Sequence, residues 1–154
     1  GEWTVVCMTN GTNQVRRDEF KQVMESYGVD CEIWDLEDRW DGELSNEEIE
    51  HATSIIGGLI GHYDHILTHN EKGEYGHSQH RAFHRIVSSL VHKNLWVFGR
   101  SEYPLPADTL REKLEKMELY KSQCQLKAWD WYDTNNPDNR LMNWVVHEDA
   151  VKFR

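Results

Sequence analysis

The amino-acid sequence predicts an α/β fold, a three-layer sandwich around a mostly parallel sheet. Three observations carry that expectation. Apolar runs of strand length alternate with longer stretches of helical periodicity. Turn or capping residues separate the two kinds of segment. Alternating strands and helices favour parallel pairing through right-handed crossovers. With no internal repeat and no linker in 154 residues, a single domain with its own core is expected over 1–154.

The elements follow in order. Trp3-Thr4-Val5-Val6-Cys7-Met8 is a short apolar run closed by Thr9-Asn10-Gly11, a buried strand and its turn. Phe20, Val23, Met24 and Tyr27 recur with helical spacing, and Gly28 supplies the stop. Cys31 to Leu36 reads as the second strand, and the acidic stretch from Glu37 to Leu44 as loop. Ser45-Asn46-Glu47-Glu48 has capping-box spacing ahead of a stripe of Ile49, Ala52, Ile55, Ile56 and Leu59. Gly57, Gly58 and Gly61 follow a helical pattern and lack the Lys-Ser/Thr of a phosphate loop, so they read as helix termination.

Tyr63 to Thr68 is the expected third strand, followed by a helix through His80, Phe83, His84, Val87 and Val91, and by a fourth strand from Asn94 to Gly99. Pro104 and Pro106 mark a loop. Thr109-Leu110-Arg111-Glu112 then opens a long helix with Leu110, Leu114, Met117, Tyr120 and Cys124 on one face. A turn is expected at Asn135-Asn136-Pro137-Asp138, and Leu141 to Val146 fits either a short helix or a strand.

Composition narrows the function classes. The 27 acidic residues outnumber 17 basic ones, and a net charge of −10 argues against a nucleic-acid partner held by phosphate contacts, although it leaves room for a local basic patch. No apolar run reaches the length of a membrane span, and no secretion signal is visible at the start. Cys7, Cys31 and Cys124 are odd in number and widely spaced, which suits a reducing, cytoplasmic setting better than a disulfide framework or a zinc ribbon. Asn10-Gly11-Thr12 matches a glycosylation sequon, but reads as a turn. Seven Trp are read mainly as core, with Trp40, Trp129 and Trp131 as alternatives for stacking on sugars.

Chemistry concentrates between the third strand and the helix after it. Of nine histidines, seven lie between His62 and His92. His77 and His80 fall three residues apart at the expected helix start, a strand–loop–helix junction where α/β sheets place ligands. The helix dipole disfavours a cation there, so these imidazoles are expected neutral, the form that ligates metals. One of the pair is read as a ligand of a divalent metal, zinc by preference, and the other as a donor to a developing oxyanion. The plain alternative is a solvated helix start. His80 and His84, four residues apart, are an alternative metal pair, but without the Glu of the metalloprotease motif. His62, His65 and His92 read as surface or strand-edge residues.

The run Thr68-His69-Asn70 through Gly73-Glu74-Tyr75-Gly76-His77-Ser78-Gln79-His80-Arg81, with His84 behind it, resembles the second motif of the PIG-L/LmbE-like N-acetylglucosaminyl deacetylase family. Thr9-Asn10-Gly11, Arg17 with Glu19 and Phe20, and Tyr120 with Ser122-Gln123 resemble further family segments in the same order, from about Trp3 to Trp131. The resemblance implies a Rossmann-like sheet and a metal-dependent hydrolase acting on an N-acetylated sugar or glycoconjugate. It makes His80 a metal ligand and His77 the residue that stabilises the oxyanion and protonates the leaving amine. Arg17 and Tyr75 would face the sugar; Arg17 reads equally well as a solvated residue of its helix.

One departure is clear. The family's His-Pro-Asp-Asp motif, which supplies two metal ligands and the general base, does not occur in the sequence. The resemblance therefore aligns Gly1 with the family's second strand, and leaves three alternatives. The first strand and helix lie outside this sequence, another chain (a second copy or a different partner) completes the sheet, or the metal has been lost and the chain binds glycans or proteins without catalysis. Asp64 and His69 are the candidate stand-in ligands.

Overall fold

The computed structural model describes residues 3–39, 42–124 and 145–153. The elements are β1 (Thr4–Thr9), α1 (Gln14–Tyr27), β2 (Asp30–Leu36), α2 (Asn46–Ile60), β3 (Ile66–Thr68), α3 (Ser78–Leu90), β4 (Leu95–Arg100), α4 (Ala107–Met117), α5 (Lys121–Cys124) and β5 (Glu148–Lys152). The fold is mixed α/β, and the described residues fall into two compact units, drawn from residues 1–38 with 105–139 and from 39–104 with 140–154. No helix among them is long and apolar enough to cross a membrane.

In the first unit β1 and β2 pair in parallel, Thr4 opposite Asp30 and Cys7 opposite Ile33. The intervening α1 is capped by Asn13, whose side chain accepts the Arg16 N–H, and closes at Gly28 in the left-handed conformation. Phe20 and Val23 of its apolar stripe are buried, whereas Tyr27 is exposed. Glu19 is buried as well, and its carboxylate accepts both the backbone N–H and the hydroxyl of Ser122, each at 2.6 Å. That charge-assisted pair fixes the start of α5.

In the second unit β4 is the central strand. It pairs in parallel with β3, Ile66 opposite Leu95, and antiparallel with β5, Val97 opposite Val151. The capping box of Ser45 and Glu48 opens α2. The amphipathic α3 buries Ala82, Phe83, Ile86 and Val87, each large side chain contributing about 2 kcal/mol relative to exposure. Its first turn is held by polar contacts. The Ser78 hydroxyl donates to the Gly42 carbonyl at 3.0 Å, and the buried Gln79 side chain accepts the Arg39 N–H at 3.1 Å.

Several expectations require correction. The third strand is only Ile66–Thr68, because pairing with β4 begins at Ile66. Gly57 and Gly58 lie inside α2, which runs on to Ile60 with Gly61 as its cap. The expected long helix opens at Ala107 with Pro106 as its cap, not at Thr109, and stops at Met117. The Glu118, Leu119 and Tyr120 N–H groups then close turns onto Leu114, Lys116 and Met117 before α5 begins. The strand β5 was not foreseen, and its antiparallel pairing adds to the parallel pairs. Val145 and Val146 are helical, which decides the end of the Leu141–Val146 segment. Trp3 is 59% exposed, and Trp34 and Trp96 are only half-buried, so these three do not form the core expected of the tryptophans. Trp40, Trp129, Trp131, the Asn135–Asp138 turn and residues 141–144 lie outside the described residues.

Candidate metal centre

The site is built by the loop between β3 and α3. Asn70 organises it. Its side-chain oxygen accepts the N–H groups of Lys72 (2.8 Å) and Glu74 (3.2 Å), and its amide donates to the Phe98 carbonyl of β4 at 2.8 Å. Gly73 and Glu74 both adopt left-handed backbone, φ 67° and 55°. A Cβ on Gly73 would stand 2.4 Å from the His77 carbonyl oxygen, so only glycine fits this turn. The Gly73 carbonyl accepts the N–H groups of Gly76 and His77, which delivers the chain to the start of α3.

This turn folds Glu74 back between two imidazoles. Its Oε2 lies 3.0 Å from His69 Nδ1 and 2.5 Å from His80 Nδ1, and its Oε1 accepts the Asn70 N–H at 2.9 Å. The Glu74 side chain is 7% exposed. Burial alone would raise its pKa, but the hydrogen bonds from His69 and His80, with the Asn70 N–H, outweigh it and hold the carboxyl down at about 2. Glu74 is therefore an anion at neutral pH.

The imidazoles form a stack. His69 lies on His80 with ring centres 3.7 Å apart and planes 12° apart, and His77 covers the other side of His80 at 4.3 Å and 14°. Tyr75 meets His80 and His77 edge-on at 5.6 and 6.3 Å. His77 is the N-cap residue of α3 and is buried. His84 takes no part in the cluster. It is buried against Phe153, and its Nδ1 donates to the His69 carbonyl at 2.8 Å, so the His80–His84 metal pair is not formed. His62, His65 and His92 are exposed.

One donor atom each from His69, Glu74 and His80 can be chosen so that all lie within 4.8 Å of one another. Two imidazoles and an ionised carboxylate, largely withdrawn from water, are a donor set that suits zinc and related divalent ions. The site residues expected from sequence thus divide. Tyr75, His77 and His80 come together, joined by His69, one of the two stand-ins. Asp64 is exposed and is not among the three. Arg17 belongs to the first unit, where its guanidinium donates to the Gly11 carbonyl. Tyr120 lies in that unit too, and burial pushes its phenol up to about 12.

Sequence spacing alone assigns Glu74 no role in the site. Its signal was the glycine on either side: Gly73 and Gly76 permit the reversal that returns a carboxylate to its flanking histidines.

A mixed α/β chain with a histidine–carboxylate centre where a strand meets a helix is the class that fold and site define. The model of the PIG-L family, described as GlcNAc-PI de-N-acetylase, matches residues 1–91, which include the whole cluster. The chain belongs to the PIG-L family. It is 32% identical over 143 residues to an uncharacterised protein of Acanthamoeba polyphaga mimivirus, a match that covers 80% of this chain and 62% of that protein. The chain thus spans less than two thirds of that relative's length. No solved structure matches it.

Proposed function

We propose that the chain acts in a metal-dependent hydrolase that removes the acetyl group from an N-acetylated amino-sugar conjugate. The observation that carries this reading is the meeting of His69, Glu74 and His80 beside His77, inside the segment that matches a de-N-acetylase family. His80 and His69 would hold the metal, with zinc as the proposed ion, and the Glu74 anion would stand behind the two rings. When bound, a divalent metal supplies Lewis acidity toward the amide carbonyl and makes water more acidic.

The chain's own residues do the rest. His77, stacked on His80, donates a hydrogen bond to the developing oxyanion and gives its proton to the departing amine. Water adds to the carbonyl carbon and gives up a proton, His77 protonates the nitrogen as the C–N bond breaks, and the proton released by water restores His77, so that acetate and the free amino sugar leave. Tyr75, edge-on to both rings, is the adjacent surface for the sugar. Arg17 is assigned to the sugar on the family resemblance alone. The same reading carries a single domain with the three-layer, Rossmann-like sandwich.

The test combines metal analysis with acetate release from an N-acetylglucosaminyl conjugate, using the whole protein. A bound divalent ion and acetate release that chelation abolishes are expected. Absence of both overturns the reading. Glycan binding that survives chelation and His80→Ala would mark a non-catalytic, glycan-binding relative instead.

A further inference from the structure

A single oxygen of Glu74 meets the Nδ1 atoms of two stacked imidazoles. A carboxylate can only accept, so each ring must present an N–H to it. A neutral imidazole has one N–H. We propose that Glu74 is a positioning residue that fixes His69 and His80 together as their Nδ1–H tautomers, so that the Nε2 lone pairs are the valences this centre offers to a divalent cation.

The surrounding contacts support that role. The other oxygen of Glu74 is held by the Asn70 N–H, and the Glu74 N–H by the Asn70 side chain, so the carboxylate cannot swing toward one ring without breaking the turn. The stacked rings are nearly parallel, so fixing both Nδ1 atoms on one oxygen also fixes the direction of both Nε2 atoms. Carboxylates that grip the far nitrogen of a metal-binding histidine set its tautomer and raise its basicity. In this centre one carboxylate serves two rings. The cation half of the assignment depends on the metal reading above; the tautomer half does not.

Long-range ¹H–¹⁵N spectra of the histidine rings test both halves in the whole, metal-free protein, without any mutation. Both His69 and His80 are expected to carry their proton on Nδ1. A proton on Nε2 of either ring overturns the proposal. Zinc is then titrated in. Perturbation of Nε2 with Nδ1–H retained supports it, whereas loss of the Nδ1 protons means ligation on the Glu74 side and overturns the cation half while leaving a metal centre. If excess zinc changes nothing, the metal reading fails, and the tautomers alone decide the role of Glu74.

Two variants add a second readout. In Glu74→Gln the amide oxygen keeps the Asn70 N–H and the NH2 group replaces the oxygen that both rings share, so both rings are expected to switch their proton to Nε2. Glu74→Ala is expected to release both rings and to weaken zinc binding about 10- to 100-fold, as loss of an orienting group does. Intact tautomers in both folded variants would overturn the proposal.

Discussion

Gly73→Ala is the most discriminating single change in the loop. The added methyl must adopt a backbone with φ 67°, and it would stand 2.4 Å from the His77 carbonyl oxygen, 3.2 Å from the His77 nitrogen and 3.0 Å from Arg81 Cγ. The left-handed conformation costs about 1–2 kcal/mol for a residue with a Cβ. The Arg81 side chain can yield, but the His77 carbonyl cannot move cheaply. It accepts the Arg81 N–H at 3.3 Å as α3 begins. Together the two terms give a loss of about 2–4 kcal/mol. Gly28→Ala provides the reference, because φ there is 65° and nothing lies within 4 Å of the added Cβ. It should lose only the conformational part. Urea unfolding of both variants, read with histidine spectra of the cluster, checks this. The reasoning fails if Gly73→Ala loses no more stability than Gly28→Ala and leaves the Glu74–imidazole contacts undisturbed.

Other outcomes follow from the same contacts. His80→Ala should abolish tight metal binding, whereas His77→Ala should keep the metal and lower kcat about 10²- to 10⁴-fold; metal content measured beside kinetics separates them. Glu74 ordinarily titrates near 4.5 and is held at about 2 in the fold, a gap worth about 3 kcal/mol. A depressed carboxyl pKa stabilises above the unfolded value, so that contribution should be lost as pH falls from about 4.5 toward 2, and Glu74→Gln should flatten the decline in a denaturation series. Glu19→Ala should leave the Ser122 N–H and hydroxyl without their acceptor and destabilise by about 2–3 kcal/mol, seen first as faster amide exchange at Ser122. Gly57→Ala and Gly58→Ala meet nothing within 4 Å inside α2 and should each raise stability by about 0.5–1 kcal/mol in thermal unfolding.

Much of the local structure was legible because it is encoded locally. The stop at Gly28 and the Ser45–Glu48 capping box need only neighbouring residues, and both occur as read. Strand β5 was not legible. Its sequence, Glu148-Asp149-Ala150-Val151-Lys152, lacks apolar alternation, and it is a strand because its backbone completes the edge of β4. The centre was half legible. The spacing of His77 and His80 predicts two rings on one helix face, and they do stack. Spacing along a helix says nothing of a loop that reverses. Hence the sequence makes His69 only a stand-in and leaves Glu74 unread, although both meet the His80 ring directly.

The cluster draws its parts from two supports, and this shapes what evolution or mutation can change separately. His69 and Glu74 ride on a loop whose fixed point is Asn70, tied to β4 through the Phe98 carbonyl. His77 and His80 ride on α3, whose first turn is tied to Arg39 and Gly42 by Gln79 and Ser78. The supports join at the Gly73 carbonyl, which takes the His77 N–H, and at Glu74 Oε2, which takes both imidazoles. A displacement of the loop by a few tenths of an ångström therefore alters the grip on both rings while leaving His77 stacked. A displacement of α3 moves His77 and His80 together and breaks their register with His69. Ligand geometry and proton donation are thus governed by different contacts within a dozen residues, and the glycine at position 73 is where a change in one becomes a change in the other.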